Sequence, residues 1–203
     1  MGETTIAVNP SGSTLLHAWS KTVSAQTVYD EFTLPGEFPY ASYSVQAGSI
    51  SVATTADHVL QLMAGSTLNV RIRRITVMQS TLVTTAAFLP LIVLRLTTAG
   101  TGGTSITPSK FDNADAPAGA TAMTLPTAKG TEGVELFRRQ MALTQTLATS
   151  SSIVPAWEWI QLPNEKPLII PAGTSNGICV KVGGGRAGAA VDVTVEFVET
   201  SFL

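Results

Sequence analysis

Ionic side chains are scarce in this chain. Asp, Glu, Lys and Arg make up 13% of its 203 residues, about half the ~25% of an ordinary soluble domain. Twelve basic against fourteen acidic residues leave a net charge of −2, so nucleic acid and anionic membrane surfaces are excluded as partners. A single cysteine, Cys179, excludes an internal disulfide and a thiolate pair for zinc. The two histidines, His17 and His58, lie far apart in the chain and lack any His-x-x-x-His spacing, so a metal role is not expected and a partly buried or turn histidine is. The longest apolar run, Phe88 to Leu94, is far short of the ~20 residues of a membrane helix. It reads as a buried strand edged or broken by Pro90. Met1 to Thr5 hold an acid and no basic n-region, so no secretory leader is expected.

What replaces charge is hydroxyl and methyl. Ser and Thr together supply 45 residues, and 44% hydrophobic residues with so little charge are not the composition of a disordered chain. A surface this poor in charge is expected to be covered in part by identical or different neighbours, because interface centres are depleted in charge.

Period-two alternation is the dominant pattern. In Val191-Asp-Val-Thr-Val-Glu-Phe197 the apolar residues share one strand face and the polar ones the other. Leu68, Val70 and Ile72 alternate with Asn69, Arg71 and Arg73, then Ile75 and Val77 resume one residue out of phase. The doubled Arg73-Arg74 marks a β-bulge. Tyr43 to Ala47 and Ser49 to Ala53 read as a strand pair about Gly48. Leu168-Ile-Ile-Pro171, the Asn176-Gly177 turn, Ile178 to Val182 and the last strand read as a three-stranded meander. Glu132 to Leu147 carries a weak helical stripe, but Gly133 and its Thr-rich tail favour a strand.

Between Thr97 and Lys129 periodicity disappears among Gly100, Gly102, Gly103, Pro108, Pro117, Gly119 and Pro126. A segment of this length exceeds ordinary loops and is expected to be an extended excursion ordered by what it touches. About ten strands without a convincing helix give an all-β fold, an antiparallel β-sandwich that is jelly-roll-like. The expected organisation is an extended N-terminal arm over residues 1–15, where Asn9-Pro10-Ser-Gly12 suits a segment outside the core. A single β-sandwich domain over 16–203 would carry the excursion 97–129.

No catalytic constellation emerges, and no enzyme, cofactor or metal is expected. A Gly-x-Ser-x-Gly elbow is missing. Asp112-Asn113-Ala114-Asp115 offers too few oxygens for calcium and reads as an Asx-turn. Gly183 to Gly188 lacks the helix and Lys-Ser or Lys-Thr of a phosphate loop. The candidate interface residues are Arg73, Arg74, Arg138 and Arg139, suited to pairing with acids of a neighbouring subunit, together with Phe111, Trp157 and Trp159. Trp157-Glu158-Trp159 sets two indoles on one strand face, for core or interface packing or for stacking on a sugar.

The charge-poor Thr/Ala/Ser/Gly composition, the closing block Pro167 to Gly173 followed by Val191 to Phe197, and the Ala/Pro stretch Thr104 to Pro126 resemble tailed-bacteriophage virion proteins of the small β-sandwich type, such as head decoration and fibre proteins. The resemblance implies a non-enzymatic structural protein of the virion. It would be a homo-oligomer, a trimer, bound to major capsid or tail subunits. A receptor- or carbohydrate-binding module of a fibre, using Trp157, Trp159, Tyr40 or Tyr43, is the alternative.

Overall fold

The computed structural model describes residues 2–7, 15–23, 26–31, 40–52, 57–85, 87–145, 156–162 and 165–201, and among them there is no helix. The chain divides into two compact units, Met1–Pro39 and Tyr40–Leu203.

In the first unit β1 (Gly2–Ala7), β2 (Leu15–Val23) and β3 (Gln26–Glu31) form a three-stranded antiparallel sheet in chain order. Gly2 pairs with Ser20 and Ala7 with Leu15. An arm over residues 1–15 and a sandwich from residue 16 were expected; instead residues 2–7 are hydrogen-bonded to residues 15–20, and the sandwich begins after Pro39. The Asn9-Pro10-Ser-Gly12 segment lies outside the described residues.

The second unit is an antiparallel β-sandwich with twelve strands among the described residues, β4 (Ser42–Ser51), β5 (Asp57–Met63), β6 (Asn69–Thr81), β7 (Ala87–Leu96), β8 (Thr104–Ile106), β9 (Ser109–Lys110), β10 (Thr121–Thr124), β11 (Glu132–Leu143), β12 (Ala156–Ile160), β13 (Leu168–Ile170), β14 (Gly177–Val182) and β15 (Ala190–Thr200). One sheet has the order β11-β7-β14-β5-β10-β8. The other runs β12-β6-β15-β4-β9, with β13 sharing the β6 edge beside β12. Setting aside β8, β9 and β10, the layers are β4-β15-β6-β12/β13 and β5-β14-β7-β11. From β4 to β7 the chain changes layer at every connection, and it does so again from β13 to β15. This is the two-Greek-key winding of a jelly roll.

Alternation places the core between the layers. Val191, Val193, Val195 and Phe197 of β15 and Val70, Ile72, Ile75 and Val77 of β6 are all buried. Each such aliphatic side chain contributes about 1.5–3 kcal/mol relative to exposure. The bulge read at Arg73-Arg74 is present: Glu196 pairs with Arg74 but Phe197 with Ile72, so Arg73 is the extra residue. The Phe197 ring stacks on Tyr43 at 5.4 Å.

Three expectations are corrected. Tyr43 to Ser51 is not a hairpin but one strand with a bulge. Val193 pairs with Ala47 and Val191 with Ile50, and Ser49 takes φ 52° while its N–H donates to Asp192 Oδ1 at 2.6 Å. The carboxylate supplies the bond that the displaced backbone lost.

The C-terminal strands are not a meander. β13 pairs with β6, β14 lies between β5 and β7, and β15 lies between β4 and β6. The Asn176-Gly177 turn is an arch between layers, fixed by Gly173 N–H donating to Gly65 O at 2.8 Å and Asn176 Nδ2 to Ala172 O at 3.0 Å. Turn chemistry fixes the local reversal; which sheet receives the next strand depends on burial, and β14 is buried on both faces.

The excursion is built into the fold. β10 and β8 extend one sheet past β5, and β9 extends the other past β4. Its periodicity is short because its strands are short. Glu199, buried, receives Gly119 N–H at 3.0 Å and Ala120 N–H at 2.7 Å, and Tyr43 Oη donates to Ala116 O at 2.9 Å.

Pro90 sits inside β7. Its carbonyl accepts from Gly183 N–H at 2.8 Å, just beyond the last β14 pair. In an antiparallel ladder a residue's N–H and C=O point the same way, so the missing proline N–H faces the point where β14 ends and the ladder loses nothing.

Candidate functional site

Opposite edges of the sandwich carry the residues expected to meet partners. β11 and β12 are edge strands of the two sheets, and an aromatic seam joins them. The Phe137 ring lies 5.8 Å from both Trp157 and Trp159, nearly parallel to the second at 15°. Both indoles are half-buried. Alternation explains this: Trp157 and Trp159 pair with Val77 and Ile75, and Phe137 pairs with Val93, all inward positions. Phe137 thus stacks on one face of Trp159 and lies tilted against Trp157.

The arginines surround this seam. Arg74 binds Glu158 at 2.5 Å, with Glu196 at 3.7 Å. Arg138 binds Glu135 at 2.6 Å, and Arg139 donates to the Arg138 carbonyl at 3.1 Å. Arg73, Arg74, Arg138 and Arg139 are exposed. Six of the seven candidate residues therefore lie on one side of the sandwich, with two of the arginines neutralised by acids of the same chain. Exposed ion pairs of this kind contribute little stability, ~0.2–1 kcal/mol each. Beside Arg73, whose carbonyl accepts from Gln161 N–H at 3.0 Å, Ile160 and Leu162 are 54% and 51% exposed. Arg71 is half-buried, paired in register with Ile169 and Val198.

Phe111 lies elsewhere. It follows β9, at the opposite edge of the sheet from β12, and is 64% exposed. Its N–H donates to Ser42 O at 3.0 Å. The following turn is the expected Asx-turn, with Ala114 N–H on Asp112 Oδ1 at 2.9 Å. Lys110 Nζ reaches Asn113 O at 2.8 Å and Asp115 O at 2.7 Å, so an ammonium holds the carbonyls a cation would take. No group of three or more His, Cys, Asp or Glu able to hold a metal occurs among the described residues.

A polar chain on the outer face of the other sheet was not legible in the sequence. His58 is fully buried. Its Nε2 lies 2.8 Å from Glu132 Oε1, its Nδ1 lies 2.6 Å from Gln61 Nε2, and Gly100 N–H donates to Gln61 Oε1 at 2.9 Å. Lys181 Nζ closes the chain on Glu132 at 2.6 and 2.7 Å. The directions are fixed. An amide nitrogen only donates, so His58 Nδ1 accepts and Nε2–H donates to the carboxylate. Rotating Gln61 would set its NH2 against Gly100 N–H.

Burial lowers the His58 pKa against the opposing pull of Glu132. Burial raises Glu132, but hydrogen bonds from Lys181 and His58 outweigh it and hold the carboxyl below its ordinary value. Gly100 meets this chain at close quarters. A Cβ there would lie 2.7 Å from Pro126 Cβ, 2.8 Å from Ala128 O and 2.9 Å from Gln61 Oε1.

The arrangement resembles a His–carboxylate pair of a hydrolase only in part. Both imidazole nitrogens are engaged, and Cys179, on the adjacent strand, is fully buried with its pKa pushed well up by that burial. Chemically the chain is a clasp between β5, β11, β14 and the start of the excursion. A recess of about 340 Å³ beside it is lined by Met63, Ser105, Pro108, Thr121 and Met123, with the Gln61 amide already engaged. His17 pairs with Thr5 in the β1–β2 register, and its side chain is outside the described residues.

The fold and these edges define a jelly-roll β-sandwich protein whose surface candidates lie on opposed strand edges. No known protein family matches the chain, and neither a curated protein nor a solved structure does.

Proposed function

We propose that this chain is a non-enzymatic virion structural protein of the capsid-decorating type. It self-associates, as a trimer, and attaches to capsid or tail subunits in the virion. The observation that carries the reading is the pairing of a jelly roll with a chain poor in charge, 13% of its residues. Arg74, Arg138, Lys181 and Lys129 are each turned onto an acid of their own chain, while Phe111, Ile160 and Leu162 stand exposed. Jelly rolls recur in capsid and lectin domains, an analogy of fold rather than of site. The packing of both Trp157 and Trp159 against Phe137 favours the capsid reading over the lectin one.

Light scattering across a concentration series tests it. A trimer of 21.2 kDa subunits has three times that mass, about 64 kDa. A monomer that stays soluble at high concentration overturns the proposal.

A further inference from the structure

The strand order sets two chemically different edges of one sheet apart from each other. In the sheet β12-β6-β15-β4-β9 the two edges are four strand steps apart, roughly 20 Å at ~4.8 Å per step. They carry different chemistry.

At the β9 edge Phe111 projects from a turn locked at several points. Its own N–H binds Ser42 O, Asp112 closes the Asx-turn, and the Lys110 ammonium holds the carbonyls of Asn113 and Asp115. A large apolar ring presented on a preorganised turn loses little conformational freedom on docking, which is the usual condition for an interface anchor. Its neighbours Asp112 and Asp115 outnumber Lys110, so the knuckle is acidic by 1 − 2 = −1.

At the β12 edge the exposed side chains are two aliphatics and an arginine. Ile160 and Leu162 flank Gln161, whose N–H binds the Arg73 carbonyl. Arg74 is taken by Glu158 and Glu196, whereas Arg73, pushed out of register by the bulge, makes no ion pair among the described residues. An aliphatic pair beside an unneutralised guanidinium complements a phenyl ring beside a carboxylate.

Resting on the oligomeric reading, we propose that a second copy of this chain is the occupant. The Phe111–Asp112 knuckle of one subunit docks on Arg73, Ile160 and Leu162 of the next. The contact is heterologous, joining two different patches, so it propagates head to tail and stops only when the ring closes. Aliphatic–aromatic burial supplies affinity, and the Asp112–Arg73 pairing sets register and disfavours a knuckle meeting a knuckle.

The test uses the full chain and sedimentation across a concentration series. Phe111→Ala and Arg73→Glu are each expected to weaken association at least tenfold, with circular dichroism unchanged. Arg73→Glu leaves the backbone bond to Gln161 in place. A third variant reverses the knuckle by Asn113→Lys with Ala114→Lys, two exposed positions whose side chains carry none of the turn's hydrogen bonds. It too is expected to weaken association, whereas the chain combining it with Arg73→Glu recovers to within about threefold of the parent.

If the parent oligomerises and all variants match it, the contact is wrong and the oligomeric reading stands. If the parent is a monomer, that reading falls first. Variants that oligomerise normally but no longer attach to particles overturn the contact as well, because the knuckle then belongs to a different protein.

Discussion

Gln61→Leu is the most informative single change in the sandwich. The side chain receives Gly100 N–H on one end and donates to His58 Nδ1 on the other, and His58, Gln61 and Gly100 are all buried. Leucine is close in volume, so the packing loss is small, but two buried polar groups lose their partners. Each costs ~1–3 kcal/mol, and with some relaxation the sum is about 3 kcal/mol. Urea unfolding, followed by tryptophan fluorescence in a Trp19→Phe background so that only Trp157 and Trp159 report, measures it. With a slope of about 2 kcal/mol per molar urea the midpoint falls by about 1.5 M. A midpoint within about 0.3 M of the parent would refute the reasoning, since the chain would then contribute nothing.

The same clasp fixes the sign of a pH effect. The His58 pKa is lowered on folding, so the unfolded chain binds the extra proton first; stability is full above the unfolded value of ~6.5 and declines as pH falls through the window below it. Urea midpoints at intervals from neutral to mildly acidic pH show this slope, and imidazole nitrogen shifts report the Nε2–H tautomer. Glu199→Gln keeps one acceptor for Gly119 and Ala120 but removes the charge, and is expected to cost about 1–2 kcal/mol with faster amide exchange at residues 118–120. Phe137→Ala opens the seam against Trp157 and Trp159; about 2 kcal/mol is expected, below a fully buried phenylalanine's ~3–5 because the site is half-exposed, with a red-shifted tryptophan emission. Ser49→Gly relieves a positive φ and keeps the N–H to Asp192, so thermal melting is expected to show stabilisation of about 0.5–1 kcal/mol.

Alternation made the long strands legible, because β6 and β15 each bury one face and wet the other, and even the Arg73 bulge shows as a slip in phase. What alternation does not contain is which strand lies beside which. The Asn176-Gly177 turn looks the same in a hairpin and in an arch between layers, so a meander was expected where the chain changes sheets. The excursion hid its strands because two to four residues are too few to display a period. Side-chain chemistry was legible where it is local, as in the Asx-turn at Asp112. It was illegible where it spans the fold: positions 58, 61, 132 and 181 lie on three strands, and strict alternation would set His58 and Gln61 on opposite faces, whereas the bulge at Val59, where Val180 pairs with Leu60 but Lys181 with His58, brings them onto one. His58 at the head of the Val59 to Met63 run and Gln61 within it, polar residues in an otherwise apolar stretch, were the available signal.

Because the excursion lends β8 and β10 to one sheet and β9 to the other, it stitches the layers together at the side away from the tryptophans. Sliding or prising one layer off the other must first rip out a stretch of chain that belongs to both. The sandwich is thus closed by rings at one flank and by its own thread at the opposite one, beyond the connections that cross between the layers from β4 to β7 and from β13 to β15.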